Sequence, residues 1–199
     1  MKLVWALVLT ALFVAILAAV YLVHVWFLPV GVIFYSAILD GVVAAAIAGV
    51  LVAVLCRRLP LTGFECCLLV TIWLIGGYAF AISGPTVLDR SLSFYILEKL
   101  LQRGGGIRED AFPRVFTDEY MPEYRLVDVR LTEQLQSGTI EIVDGCVRLT
   151  PRGRELAKIS SYIRAHFLAR HRLLAGRYTD ALTDPFRNSA KGPQGYECH

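Results

Sequence analysis

The sequence predicts an all-α membrane module, a helical hairpin plus a third transmembrane helix, followed by a small α+β soluble domain. Two observations carry that prediction: the distribution of charge along the chain, and the change of hydrophobic pattern near residue 85. Of the 20 Lys and Arg residues only Lys2, Arg57 and Arg58 precede residue 85, and of the 17 Asp and Glu residues only Asp40 and Glu65 do. The remaining charge lies beyond it. Residues 1–84 therefore read as a three-helix transmembrane module, 85–178 as a soluble domain and 179–199 as a flexible C-terminal tail containing Pro and Gly. A net charge of +3 is too small to argue a nucleic-acid partner from the field of the whole protein.

The first half contains three apolar runs, at residues 3–23, 30–55 and about 62–83. Each is long enough to cross a hydrocarbon core of roughly 30 Å at about 1.5 Å per helical residue. Residues 24–29, HVWFLP, leave room for a tight turn, so the first two runs form a hairpin. Trp5, Tyr21, Trp26, Phe27 and Tyr35 lie near its ends, where interfacial aromatics belong. The first run is read as a span because it is longer than a usual signal-peptide core and no clear small-residue cleavage site precedes a polar stretch.

Small residues mark one face of the second run. Ala37, Gly41, Ala45, Gly49 and Ala53 recur every fourth position, with Ser36, Asp40, Ala44 and Ala48 in the neighbouring row. Lipid tails are as apolar as Leu, so helices associate in a bilayer through close backbone approach across small residues. This face is expected to meet another helix. Asp40 is expected roughly 15 Å deep, where a carboxylate costs at least about 2.5 kcal/mol unless it is protonated or partnered. Three roles are open to it: a packing acid bonded to a hydroxyl such as Thr10 or Thr71, a contact with a membrane partner or second copy, or proton transfer and catalysis. Ala37, Asp40, Gly41, Ala45 and Gly49 are accordingly the candidate packing or partner residues.

Beyond residue 85 the chain is too charged to span. Leu92, Ile96, Leu97 and Leu100 lie on one side of a helix that Ser91 or Asp89 caps and Gly104 to Gly106 end. A second helix is predicted in 108–121 with Phe112, Val115 and Phe116 inward, and a third in 123–136 with Leu126, Val129, Leu131 and Leu135 as its apolar set. TIEIVDGCVRLT then alternates across Asp144-Gly145, a hairpin signal. Pro151 opens a closing helix predicted to run to Leu174, with Leu156, Ile159, Ile163, Phe167 and Leu174 on one face.

Three helices, a hairpin and a closing helix in that order resemble a winged helix. The segment 131–157, LTEQLQSGTIEIVDGCVRLTPRGRELA, is similar to the end of the recognition helix, the wing and the entry to the last helix in bacterial winged-helix regulators of the MarR and PadR type. The resemblance implies a third helix placed for a DNA major groove and a wing near phosphate. The charges argue otherwise. Between residues 109 and 136, Arg114, Arg125 and Arg130 face Glu109, Asp110, Asp118, Glu119, Glu123, Asp128 and Glu133, a balance of −4, and the wing adds Glu141 and Asp144. An acidic reading head is unsuited to phosphate, so a protein partner is expected and nucleic acid is not.

Basic charge collects in the closing segment. Arg164, Arg170, Arg172 and Arg177, with Arg152, Arg154 and Lys158, are candidates for a membrane surface of anionic lipid headgroups or for a protein partner, the alternative being an ordinary solvated helix face. The four histidines are scattered and predict no site. Five irregularly spaced cysteines support neither a disulfide framework nor a zinc site. No catalytic, metal-binding or phosphate-binding motif is present, and no cofactor is expected.

Lys2, Arg57 and Arg58 favour an inside N-terminus, whereas Arg90, Lys99 and Arg103 balance them from beyond the third run. The winged-helix resemblance and the basic segment favour a cytosolic soluble domain in a bacterial inner membrane. The leading expectation is an integral membrane accessory or scaffolding subunit that holds a membrane partner or a second copy through the small helix face and docks another protein through the soluble domain. A membrane-tethered transcription regulator is the first alternative. An enzyme or accessory protein of envelope-glycan or lipid-linked substrate metabolism, resting on Asp40, Glu65 and the juxtamembrane arginines, is the second.

Overall fold

The three apolar runs become three long helices that account for most of the first half of the chain. A computed structural model describes residues 1–55 and 59–187. Arg57, Arg58 and Cys56, and residues 188–199 of the predicted tail, lie outside the described residues. The helices are α1 (Lys2–Phe27), α2 (Ile33–Leu55) and α3 (Gly63–Ala81), each long and apolar enough to cross a membrane. The chain is mostly helical and divides into two units, Met1–Glu109 and a second that begins at Asp110.

In the first unit α2 packs against both α1 and α3. Leu9, Phe13 and Leu17 recur every fourth residue on α1 and form its buried stripe. Phe13 stacks on Trp73 of α3 at 5.5 Å between centroids, and the Trp73 indole N–H donates to Thr10 Oγ1 at 3.2 Å. A buried indole N–H in a membrane helix needs such an acceptor, since no water is at hand. Glu65 and Thr62 form a reciprocal cap at the start of α3, and Lys2 reaches Glu65 at 2.9 Å. The cap holds the entry to α3 beside the start of α1.

The third helix does not stop at residue 83. Pro85 has no N–H to donate, and the chain widens there into a π-helical turn, Ile82–Thr86, before α4 (Val87–Arg90). Arg90 lies over the Phe34 ring of α2 at 5.8 Å. Ser91 then caps α5 (Leu92–Gln102), its Oγ accepting from the Phe94 N–H at 3.3 Å, and Gly104 and Gly105 end the helix with φ of 80° and 99°. Tyr95 and Lys99 are the buried residues of α5, whereas Leu92 and Leu97 of the expected apolar side are exposed.

In the second unit the helix predicted in 108–121 is present with irregular pitch. It passes from a 3₁₀ turn, Glu109–Ala111, through α6 (Phe112–Arg114), a π-helical stretch Val115–Tyr120 and α7 (Met121–Glu123). Phe112, Phe116, Tyr120 and Tyr124 form a ladder with centroids 6.0, 6.4 and 5.2 Å apart, and Val115 and Tyr120 are buried. α8 (Leu126–Gln136) begins later than predicted because Arg125 sits at φ 45°, a left-handed break. β1 (Ile140–Val143) pairs antiparallel with β2 (Cys146–Leu149), Val143 opposite Cys146, across Asp144 and Gly145 at φ 52° and 75°. These are the signs a right-twisted two-residue hairpin requires.

Thr150 joins the hairpin to α9 (Pro151–Phe167). Its Oγ1 accepts from the Gly153 N–H at 3.1 Å and donates to the Gly138 carbonyl at 2.8 Å. Gly153 is buried against the Thr139 carbonyl, where any Cβ would overlap that oxygen. The closing helix differs from the expectation in two ways. It ends at Phe167, so Arg170, Arg172, Leu174 and Arg177 are not helical, and a second hairpin follows, β3 (Arg172–Leu174) with β4 (Arg177–Thr179). Its apolar face of Leu156, Ile159, Ile163 and Phe167 is exposed rather than buried. Cys146 is disulfide-bonded, a link the irregular cysteine spacing does not announce, and Cys66 and Cys67 are not part of a disulfide.

Candidate functional site

The small face of α2 is filled from within the chain. Ala37, Gly41, Ala44, Ala45 and Ala48 are buried. A Cβ placed on Gly41 would lie 3.1 Å from the Gly77 Cα of α3, and one on Gly77 would lie 2.9 Å from the Gly41 Cα. Backbone meets backbone there, which only glycine on both sides permits. Gly49 is less confined, its Cβ position 3.4 Å from the flexible end of Val70. The helix that this face was expected to meet is α3 of the same molecule.

Asp40 has its partner within the chain too. The carboxylate Oδ1 lies 2.6 Å from Nδ1 of His24, with side-chain exposures of 5% and 13%. The expected hydroxyl partners are engaged elsewhere, Thr10 with Trp73 and Thr71 with the Cys67 carbonyl. His24 is not in the turn, as the sequence reading had it. α1 extends to Phe27, with the Leu28 N–H donating to the His24 carbonyl at 2.9 Å, so His24 stands on the last turn of a membrane helix facing α2. Asp40 is the eighth residue of α2, which starts at Ile33, and lies about 10 Å from that end instead of 15 Å.

The two groups, each expensive in lipid when alone, satisfy one another across this short contact. With Nδ1 held by the carboxylate, Nε2 is the ring nitrogen not committed to Asp40. Tyr21, one turn before His24 on α1, meets Phe80 of α3 edge to face at 5.4 Å between centroids, and the Gly41–Gly77 crossing lies one residue along α2 from Asp40. The arrangement ties α1 to α2 at a fixed height while α3 closes on their shared face. Among the described residues no group of three His, Cys, Asp or Glu side chains gathers to hold a metal ion.

Two signals in the sequence point to this site. His24 directly follows the first apolar run, whose residues 3–23 hold no Asp, Glu, Lys, Arg or His, and Gly76-Gly77 in the third run is a small-residue contact signature of the kind found in the second.

The candidate surface arginines are distributed over three elements. Arg164 is on α9, Arg170 follows it, Arg172 is on β3 and Arg177 on β4. None of the four makes an ion pair among the described residues, where Lys158 pairs with Glu155 and Arg187 with Asp180. Most acidic side chains of this unit lie earlier in sequence, on 110–149, with Glu155, Asp180 and Asp184 the exceptions among the described residues. No residue of α8 is buried, and Asp128 and Glu133 on it pair locally with Arg125 and Arg130 at 2.9 and 2.8 Å.

The chain matches no protein-family model, no curated protein and no solved structure.

Proposed function

We propose that the protein is an integral membrane accessory or scaffolding subunit, in which a closed three-helix anchor carries a winged-helix-like unit that docks another protein. The observation that carries this reading is α8. In a winged helix this element would be the reading head, and here it buries no residue, exposes Val127, Val129 and Leu135, and has both its acids, Asp128 and Glu133, paired with Arg125 and Arg130. An apolar face whose arginines are already held by carboxylates offers phosphate little and fits a protein surface. Because the small face of α2 is taken up by α3, contact with a further membrane subunit or a second copy falls to the lipid-facing sides of the helices. A photo-crosslinking residue in place of Val127, in intact membranes, is expected to give one discrete protein adduct that Asp128→Arg removes. Salt-dependent binding of duplex DNA by the full chain in detergent would replace this reading with that of a membrane-tethered regulator.

The reading places the chain in a bacterial inner membrane with the second unit in the cytosol, where the anionic leaflet faces its arginines. The disulfide at Cys146 favours the opposite side, since disulfides persist in oxidising compartments. A C-terminal reporter fusion active on one side only decides between them.

A second reading has its own observation. A carboxylate holding Nδ1 of a buried histidine orients Nε2 for general-base work, and this favours an enzyme acting on a lipid-linked substrate near the hairpin end. It requires that Asp40→Asn abolish turnover of such a substrate while the helices stay packed.

A further inference from the structure

The segment from α9 through the second hairpin is an unusual surface for a unit surrounded by water. Phe167 is 74% exposed and Tyr178 75%, with Ile163 and Leu173 also exposed. On α9, Leu156, Ile159, Ile163 and Phe167 fall within one stripe of the helix by their spacing, and Arg164 borders it. In the hairpin, Leu173 is opposite Tyr178, so their side chains share one face, while Arg172 and Arg177 stand on the other. Exposed aromatics and aliphatics interleaved with arginines that have no acidic partner among the described residues form the composition of a membrane interface, where rings sit at headgroup level and arginine stems lie along apolar surface with their heads among phosphates.

Charge sorts within the unit in the same sense. Residues 110–149 carry eight acidic and four basic side chains, whereas 150–187 carry three acidic and eight basic ones. Two of those three acids, Glu155 and Asp180, are already paired with Lys158 and Arg187. An anionic surface therefore attracts residues 150–187 and repels residues 110–149. The bilayer is also the one such surface to which the unit is covalently tied, through three helices able to span it, which raises its effective concentration without any further contact.

We infer that α9 and the β3–β4 hairpin form an interfacial membrane-binding surface, seating Phe167, Leu173 and Tyr178 in the headgroup region of an anionic bilayer. Arg164 and Arg170 engage lipid phosphate beside these rings, and Arg172 and Arg177, on the other face of the hairpin, draw it to the anionic surface. The inference is independent of what docks on α8.

The test uses the purified full chain in nanodiscs of phosphatidylcholine with and without phosphatidylglycerol. A photo-crosslinking residue replaces Phe167, Tyr178 or, as the comparison, Asp128, and the mass of each adduct is read. Lipid adducts at 167 and 178, more abundant with phosphatidylglycerol and absent at 128, are expected. Arg172→Gln and Arg177→Gln are each expected to lower the yield at 178 about fivefold in the anionic discs. Adducts to a second copy of the chain at 167 or 178, no adduct at all, or lipid adducts equal at all three positions in both lipids would each overturn the inference. A lysine in place of each arginine restores the yield if charge is the cause, and circular dichroism confirms that the glutamine variants keep their helices.

Discussion

At the scale of single residues, the membrane module is held by one polar pair and one glycine pair. Removing one partner of a buried ionic pair leaves the other without compensation, which costs about 3–5 kcal/mol. His24→Ala is therefore expected to destabilise the module by about 3 kcal/mol in a detergent unfolding assay. The double variant with Asp40→Ala should cost less than the sum of the two singles, because the orphaned charge is gone. Gly77→Ala drives a methyl group into the Gly41 backbone and is expected to lower stability by about 1–3 kcal/mol, whereas Gly49→Ala, facing a flexible valine, should change it by a few tenths. In the second unit, hydrogen bonds from Arg187 lower the Asp180 carboxyl from its ordinary 3.8 to about 2, with the arginine charge adding to the effect. A depressed acid pKa contributes stability that is complete above the unfolded value and lost as pH falls through the folded one. The loop at 180–187 should thus loosen between pH 4 and about pH 2, and Arg187→Gln should remove that transition; carboxyl titration followed by NMR reads both.

At the scale of elements, the two hairpins differ in how well their residues suit their turns. Asp144-Gly145 places residues that tolerate positive φ where β1 and β2 need them. In β3–β4 the equivalent pair is Ala175-Gly176, and Ala175 sits at φ 47°, a region that costs a side-chain-bearing residue about 1–2 kcal/mol. Ala175→Gly is expected to stabilise the second hairpin, seen as slower amide exchange at Leu173 and Tyr178. The junction between β2 and α9 behaves in the opposite way. Gly153→Ala collides with the Thr139 carbonyl and should separate α9 from the first hairpin, exposing Thr139 and Gly153 amides to exchange. The π-helical turn at Ile82–Thr86 has a single cause, the missing N–H of Pro85, and Pro85→Ala should let α3 and α4 run on as one regular helix.

At the scale of the whole molecule, the distribution of charge matters more than its sum. The net +3 conceals an almost uncharged first half, an acidic stretch and a basic end. In the proposed reading each part meets a different surrounding: lipid, a protein surface and a headgroup layer. The side on which the second unit lies is read by thiol trapping in intact cells. Labelling of Cys146 only after a reductant is added is expected of a unit outside the cytosol, and immediate labelling of one within it.

The sequence by itself determined the number of the apolar helices, the first hairpin and the small face of α2, because these follow from local patterns: run length, alternation across Asp-Gly, and the four-residue repeat of Ala and Gly. Only the tertiary structure decided who meets whom. The spacing of Ala37, Gly41 and Gly49 calls for a close neighbour without naming it, and packing supplied α3 through Gly77. Asp40 called for a partner at depth, and the register of α1 against α2 supplied His24 from sixteen residues away. The end of α9 was equally out of local reach, since the helical period of its apolar residues continues into Leu174 while the chain turns at Leu168 to pair β3 with β4. Here the pairing of a short hairpin takes the residues that the helical period also fits, because propensity and period are weak where the helix face is exposed and buries nothing.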